Sequence, residues 1–118
     1  MIDEGYIKYK AFRQVGEIPL PKWMHDMNMV RTTLWNMRLL GVYPNGIGYG
    51  NISHRHEGNS FIISGSSTGK NMILKPQEYA LVEEFNLENN CIKALGMVDA
   101  SSESMSHGAI YEALPETN

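Results

Sequence analysis

The chain has 118 residues, an apolar share of 42% and a formal net charge of −3. That length suffices for one small domain with its own core, and the composition excludes an intrinsically disordered chain. The mild acidity, with no basic cluster of more than two or three residues, argues against charge-driven nucleic-acid binding, and every apolar run is too short to span a bilayer.

Residues 1–18 mix charges and aromatics without a period and read as an N-terminal arm, packed or loose. The opening Met1-Ile2-Asp3-Glu4 lacks the basic-then-apolar pattern of a secretory signal. Pro19 and Pro21 punctuate, and Pro21 suits a first helical turn. Met24, Met27, Val30, Leu34 and Met37 then recur at three- and four-residue spacing. This predicts an amphipathic helix over about 21–40, ended by Gly41. Its methionines, with Trp23 and Trp35, read as core or subunit-contact residues. A turn-rich connection follows over 44–50.

Two short strands are expected next, over 50–55 and 60–64, joined by the turn His56-Glu57-Gly58-Asn59. Lys75 to Glu78 suits one helical turn. A second strand pair follows over 79–86 and 91–95. Cys91 is the only cysteine; it reads as a small packed residue and forms no internal disulfide, which fits a reducing cytoplasm. Ser101 or Ser102 offers a hydroxyl cap for a last helix, running through about Leu114, with Met105, Ala109, Ile110 and Ala113 on its apolar side. Helix, four short strands and helix predict an α/β domain with helices against a mixed sheet.

Two glycine-rich segments carry potential chemistry, Tyr49-Gly50-Asn51-Ile52-Ser53 and Ser64-Gly65-Ser66-Ser67-Thr68-Gly69. Glycine lets consecutive backbone N–H groups approach an anion, and the hydroxyls add neutral donors. The second segment is not a nucleotide P-loop, because only three residues separate Gly65 from Gly69 before Lys70. A plain turn remains the alternative to an anion site. Ser101-Ser102-Glu103 adds a helix N-terminus that attracts anions, two hydroxyls and a carboxylate able to move a proton; a simple capped helix is the alternative. His54 and His56 share a strand face but have no third ligand nearby, so surface pairing competes with zinc binding. Neither His25 nor His107 completes a metal set by spacing.

In order and approximate spacing, Gly50-Asn51-Ile52-Ser53, Phe61 to Gly69, Ala100-Ser101-Ser102-Glu103 and His107-x-x-Ile110-Tyr111-Glu112-Ala113 resemble the class II aldolase/adducin family. The likeness runs from about Gly46 to the C-terminus. It implies a three-layer α/β/α fold around a mainly antiparallel sheet. It also implies enzymes such as sugar-phosphate aldolases, epimerases and dehydratases, commonly tetrameric. In such enzymes Asn51, Ser66, Ser67, Ser101 and Ser102 would bind the substrate phosphate, and Glu103 would act as acid/base. The loop from Ser64 to Gly69 departs from the aldolases' usual Thr-Pro-Ser-Gly type.

The family's zinc is held by a His-x-His on a strand expected after Asn118, plus a later histidine, so the zinc ligands are expected outside this chain. The expectation is therefore the N-terminal portion of a longer class II aldolase-like domain. Whole, it would be a zinc-dependent lyase for a phosphorylated ketose, needing the missing C-terminal segment or a second polypeptide and inactive alone. A non-catalytic adducin-like binding or assembly module is the alternative.

Overall fold

The computed structural model describes residues 9–66, 68–69 and 71–118. In chain order they form β1 (Lys10–Gln14), α1 (Met24–Asn36), β2 (Gly41–Val42), β3 (Gly48–Tyr49), β4 (Ser53–Arg55), β5 (Phe61–Ser64), a 3₁₀ turn (Pro76–Glu78), β6 (Tyr79–Asn86), β7 (Cys91–Gly96) and α2 (Ser104–Ala113). Five strands make one mixed sheet in the order β1-β7-β6-β5-β4, and β2 and β3 form a separate pair. Only β1 is parallel to its neighbour; the other pairings are antiparallel. Among the described residues no helix is long and apolar enough to cross a membrane.

The alternation of β5 and β6 builds two cores. Phe61, Ile63, Ala80 and Val82 face one side, where they meet Ile92, Ala94, Ala100 and Tyr111 of α2. Ile62 and Leu81 face the other side and pack with Ile18, Leu74, Met24 and Met27 of α1. Both central strands are buried on both faces over this stretch, which is why they read as continuous apolar runs. Each helix therefore covers one face of the same sheet.

Two expectations at the N-terminal end are corrected. The arm contains strand β1, in register with β7 from Lys10 opposite Cys91 to Gln14 opposite Leu95. All five of its residues are exposed, so the sequence carries no burial alternation to reveal it. The helix expected over 21–40 spans only 24–36 and is not ended by Gly41. Arg38 takes a left-handed φ of 63°. Its N–H bonds Trp35 O while the Leu39 N–H bonds Leu34 O, the two-bond stop usually built on glycine. Gly41 instead opens β2, where a Cβ would lie 2.8 Å from the Tyr49 hydroxyl.

The buried stripe of α1 also differs from the expected one. Val30 and Met37 are exposed, and Arg31 is fully buried beside Met24 and Met27. At the other end of the domain Arg55 gathers the end of α2. Its guanidinium donates to Tyr111 O at 2.8 Å, Leu114 O at 3.0 Å and Thr117 O at 2.7 Å, a cation at the negative end of a helix.

Because Arg38 is exposed and holds a backbone conformation that costs a side-chain-bearing residue about 1 kcal/mol, Arg38→Gly is expected to stabilise the fold by up to that amount. The check is an upward shift of the urea midpoint at unchanged slope; a downward shift contradicts the assignment.

Candidate functional site

A polar cleft forms where three segments meet: Gly48 to Asn51, Gly65-Ser66 with Thr68-Gly69, and Ser101-Ser102. Its volume is about 90 Å³, well below the roughly 300 Å³ of a pocket for a drug-sized ligand. It suits a small group such as phosphate, not a whole sugar. A larger hollow of about 180 Å³ lies elsewhere, lined chiefly by Gly16, Ile18, Leu20, Pro76, Tyr79 and Met97; that lining suits apolar contact and not an anion.

The sheet brings these segments together. Past β5 the chain pairs with residues 99–101: Ser66 N donates to Asp99 O at 2.7 Å and Ser101 N to Ser64 O at 3.2 Å. Ser66 is thereby placed next to the serine pair. On the other side, Ile52 N donates to the buried Ser64 hydroxyl at 3.3 Å, and that hydroxyl points to Asn51 Oδ1 at 3.4 Å. With its oxygen engaged, Asn51 has its amide nitrogen left as the donor for a ligand.

Glycine makes the cleft walls possible. A Cβ on Gly69 would sit 2.7 Å from Gly48 Cα and 2.8 Å from Tyr49 N, and one on Gly48 would sit 2.8 Å from Gly69 Cα. The two backbones touch where any side chain would push them apart. Gly50 adds a φ of 84° and lies so close to Leu39 O that a Cβ would approach it to 2.4 Å.

Of the residues expected to bind phosphate, Asn51, Ser66, Ser101 and Ser102 line this one cleft. Ser67 lies outside the described residues. The hydroxyls of Ser66 and Ser102 are exposed and have no partner among the described residues. Ser101 is buried, and its hydroxyl accepts Glu103 N at 3.1 Å. That bond closes a turn ahead of α2, so the helix begins at Ser104, later than a serine cap at 101 or 102 predicts.

Glu103, the expected acid/base, is exposed and is not among the cleft-lining residues. Its charge acts on His107, one turn further along α2. Among the described residues, no group of three or more His, Cys, Asp or Glu side chains is placed to hold a metal. Three of the histidines are otherwise engaged. His54 stacks on Trp23 with ring centres 3.9 Å apart, His56 lies beside Glu57, and His107 bonds Ser53. The described residues therefore do not fit a zinc centre.

Two arrangements escape a reading of the sequence. The first is Arg31, which donates to Thr68 O at 3.0 Å and to Asn71 O at 2.9 and 3.1 Å, holding the cleft loop from behind. Burial pulls its pKa below the usual value, countered by Tyr79 and Glu78, yet arginine stays cationic in proteins. The second joins β4 to α2: Ser53 Oγ lies 2.6 Å from His107 Nδ1 and 2.7 Å from the Tyr111 hydroxyl. The Ser53 hydroxyl has one proton and two lone pairs, so it donates to at most one of these partners. The resemblance motifs already contain Ser53, His107 and Tyr111, but only the fold makes them neighbours. Tyr9 contributes too, its hydroxyl lying 2.7 Å from Ser101 O and 3.0 Å from Ala100 O.

The chain matches no family model, no curated protein and no solved structure.

Two outcomes are expected from this geometry. Gly69→Ala forces two backbones apart and should cost about 1–3 kcal/mol, read by denaturant unfolding, with amide shifts concentrated at 48–51 and 65–69; an unchanged midpoint refutes the close contact. Burial lowers the His107 pKa below its ordinary 6.5, more strongly than Glu103 raises it. The unfolded chain then takes up the proton more readily, so this contribution is fully present above pH 6.5 and is lost as pH falls through the lower folded-state value. His107→Asn should flatten that acid-side loss in melting temperature relative to the unmodified protein.

Proposed function

We propose that this chain binds the phosphate group of a small phosphorylated sugar, as the phosphate-holding part of a class II aldolase-like protein. The observation that carries the reading is the convergence of Asn51, Ser66, Ser101 and Ser102 on one cleft of phosphate size. These residues are distant in sequence, and they present neutral donors with few internal partners. Neutral N–H and O–H donors on small, glycine-rich loops suit a phosphate dianion. The helix, mixed sheet, helix layering supports the three-layer fold that the resemblance implies.

Retro-aldol cleavage of a phosphorylated ketose, with Glu103 as acid/base, belongs to this proposal only as an activity of a larger assembly. Such chemistry needs metal ligands from beyond these 118 residues or from a second polypeptide. The exposed position of Glu103 outside the cleft lining favours a second reading, a binding or assembly module of adducin type. A zinc-supplemented aldolase assay of the chain, with and without the polypeptide encoded downstream, separates the two.

The binding itself is tested by titrating the chain with inorganic phosphate and following backbone amide resonances. Shifts are expected at 48–51, 65–69 and 101–103. Ser102→Ala removes one exposed donor and should weaken binding about five- to ten-fold, the equivalent of about 1 kcal/mol, without moving the melting temperature. No response to phosphate, or shifts confined to other surfaces, would refute the proposal.

A further inference from the structure

We propose that Arg31 is the positive centre of the phosphate cleft, acting through the loop it holds and without touching the ligand. This rests on the phosphate reading above. Among the described residues no charged side chain lines the cleft, and the donors they offer to a doubly charged group are neutral. Arg31 is fully buried on the inner side of α1. Its Nη2 bonds the carbonyl of Thr68, and Thr68 and Gly69 are cleft-lining residues. The cation is thus one peptide unit behind the wall.

The charge also has no contact ion pair among the described residues, and Glu78 offsets it only from a distance. Among the described residues no carboxylate lies within ion-pair distance of Arg31. The nearby Glu78 carboxylate is held instead by Asn71 Nδ2 at 2.8 Å and Lys75 N at 2.9 Å. One guanidinium nitrogen, Nη1, is buried with no hydrogen-bond partner. A buried, incompletely satisfied cation is costly to fold around. Packing α1 on the sheet does not require it, since leucine or methionine fills such a position. A bound dianion close by recovers the cost, because a charge inside low-dielectric protein is felt strongly across a short distance. Arg31 also bonds Asn71 O, so the same group fixes the loop against Gly48 and supplies its field. It is a positioning and charge-supplying residue, not a catalytic one.

The test uses two ligands of similar shape and different charge, methyl phosphate (a dianion at pH 8) and dimethyl phosphate (a monoanion). Arg31→Met should weaken methyl phosphate about ten-fold and dimethyl phosphate about three-fold or less, as expected for a lost charge–charge interaction. Equal weakening of both indicates a loosened loop and overturns the charge assignment, as does no weakening. If Arg31→Met does not fold, Arg31→Lys keeps the charge with fewer bonds and should retain the preference for the dianion; its loss there also overturns the assignment. Failure of the unmodified protein to bind either ligand overturns the phosphate reading itself and is distinguishable from the other results.

Discussion

The contact of the Gly48 and Gly69 backbones governs this structure. A separation that leaves 2.7 Å to a hypothetical Cβ admits only glycine, and it brings β3 against the loop after β5. From behind, Arg31 holds that loop through three hydrogen bonds to main-chain oxygens. From the side, the Gly65–Ala100 bridge ties the same loop to the approach of α2. The cleft is the space these three restraints leave, so its shape is a property of backbone packing and not of flexible side chains.

The two faces of the sheet divide the work. Aliphatic residues and α1 fill one face, with Arg31 and Tyr79 as fully buried polar side chains within it. Burial pushes the Tyr79 phenol up to about 12, so it stays neutral and donates to Asn28 Oδ1 at 2.8 Å. The other face carries α2, locked by Ser53, His107 and Tyr111 at one place and by Arg55 at another. Fixing α2 at both places holds its N-terminal turn, and hence Ser101 and Ser102, in register with the loop after β5. The phosphate-sized cleft and the helix locks are separate groups of residues, and the histidine belongs to the lock.

Much of this was legible in the chain. β5 and β6 announce themselves by unbroken apolar runs, α2 by its period and preceding serines, and the hairpin at 56–59 by its turn residues. What escaped did so for physical reasons. β1 is a fully exposed edge strand, so neither face imposes a pattern. The end of α1 rests on Arg38 in a conformation typical of glycine, which the nearer glycine at position 41 obscures. Arg31 occupies a place in the buried stripe that any hydropathy count gives to the outside of a helix. The glutamate beside the serines looked like part of the same site, whereas one turn of backbone carries it out of the cleft lining towards His107.

Local sequence by itself determined the mixed α/β class, the central strands and the presence of small, hydroxyl-rich segments able to meet an anion. These depend on periodicity, backbone freedom and donor chemistry, all carried by neighbours along the chain. Only the tertiary structure decided that Asn51, Ser66, Ser101 and Ser102 share one cleft, that Glu103 lies outside its lining, and that a buried arginine stands behind it. Those relations join residues tens of positions apart, and sheet register and interlocking backbones set them where local preference is silent.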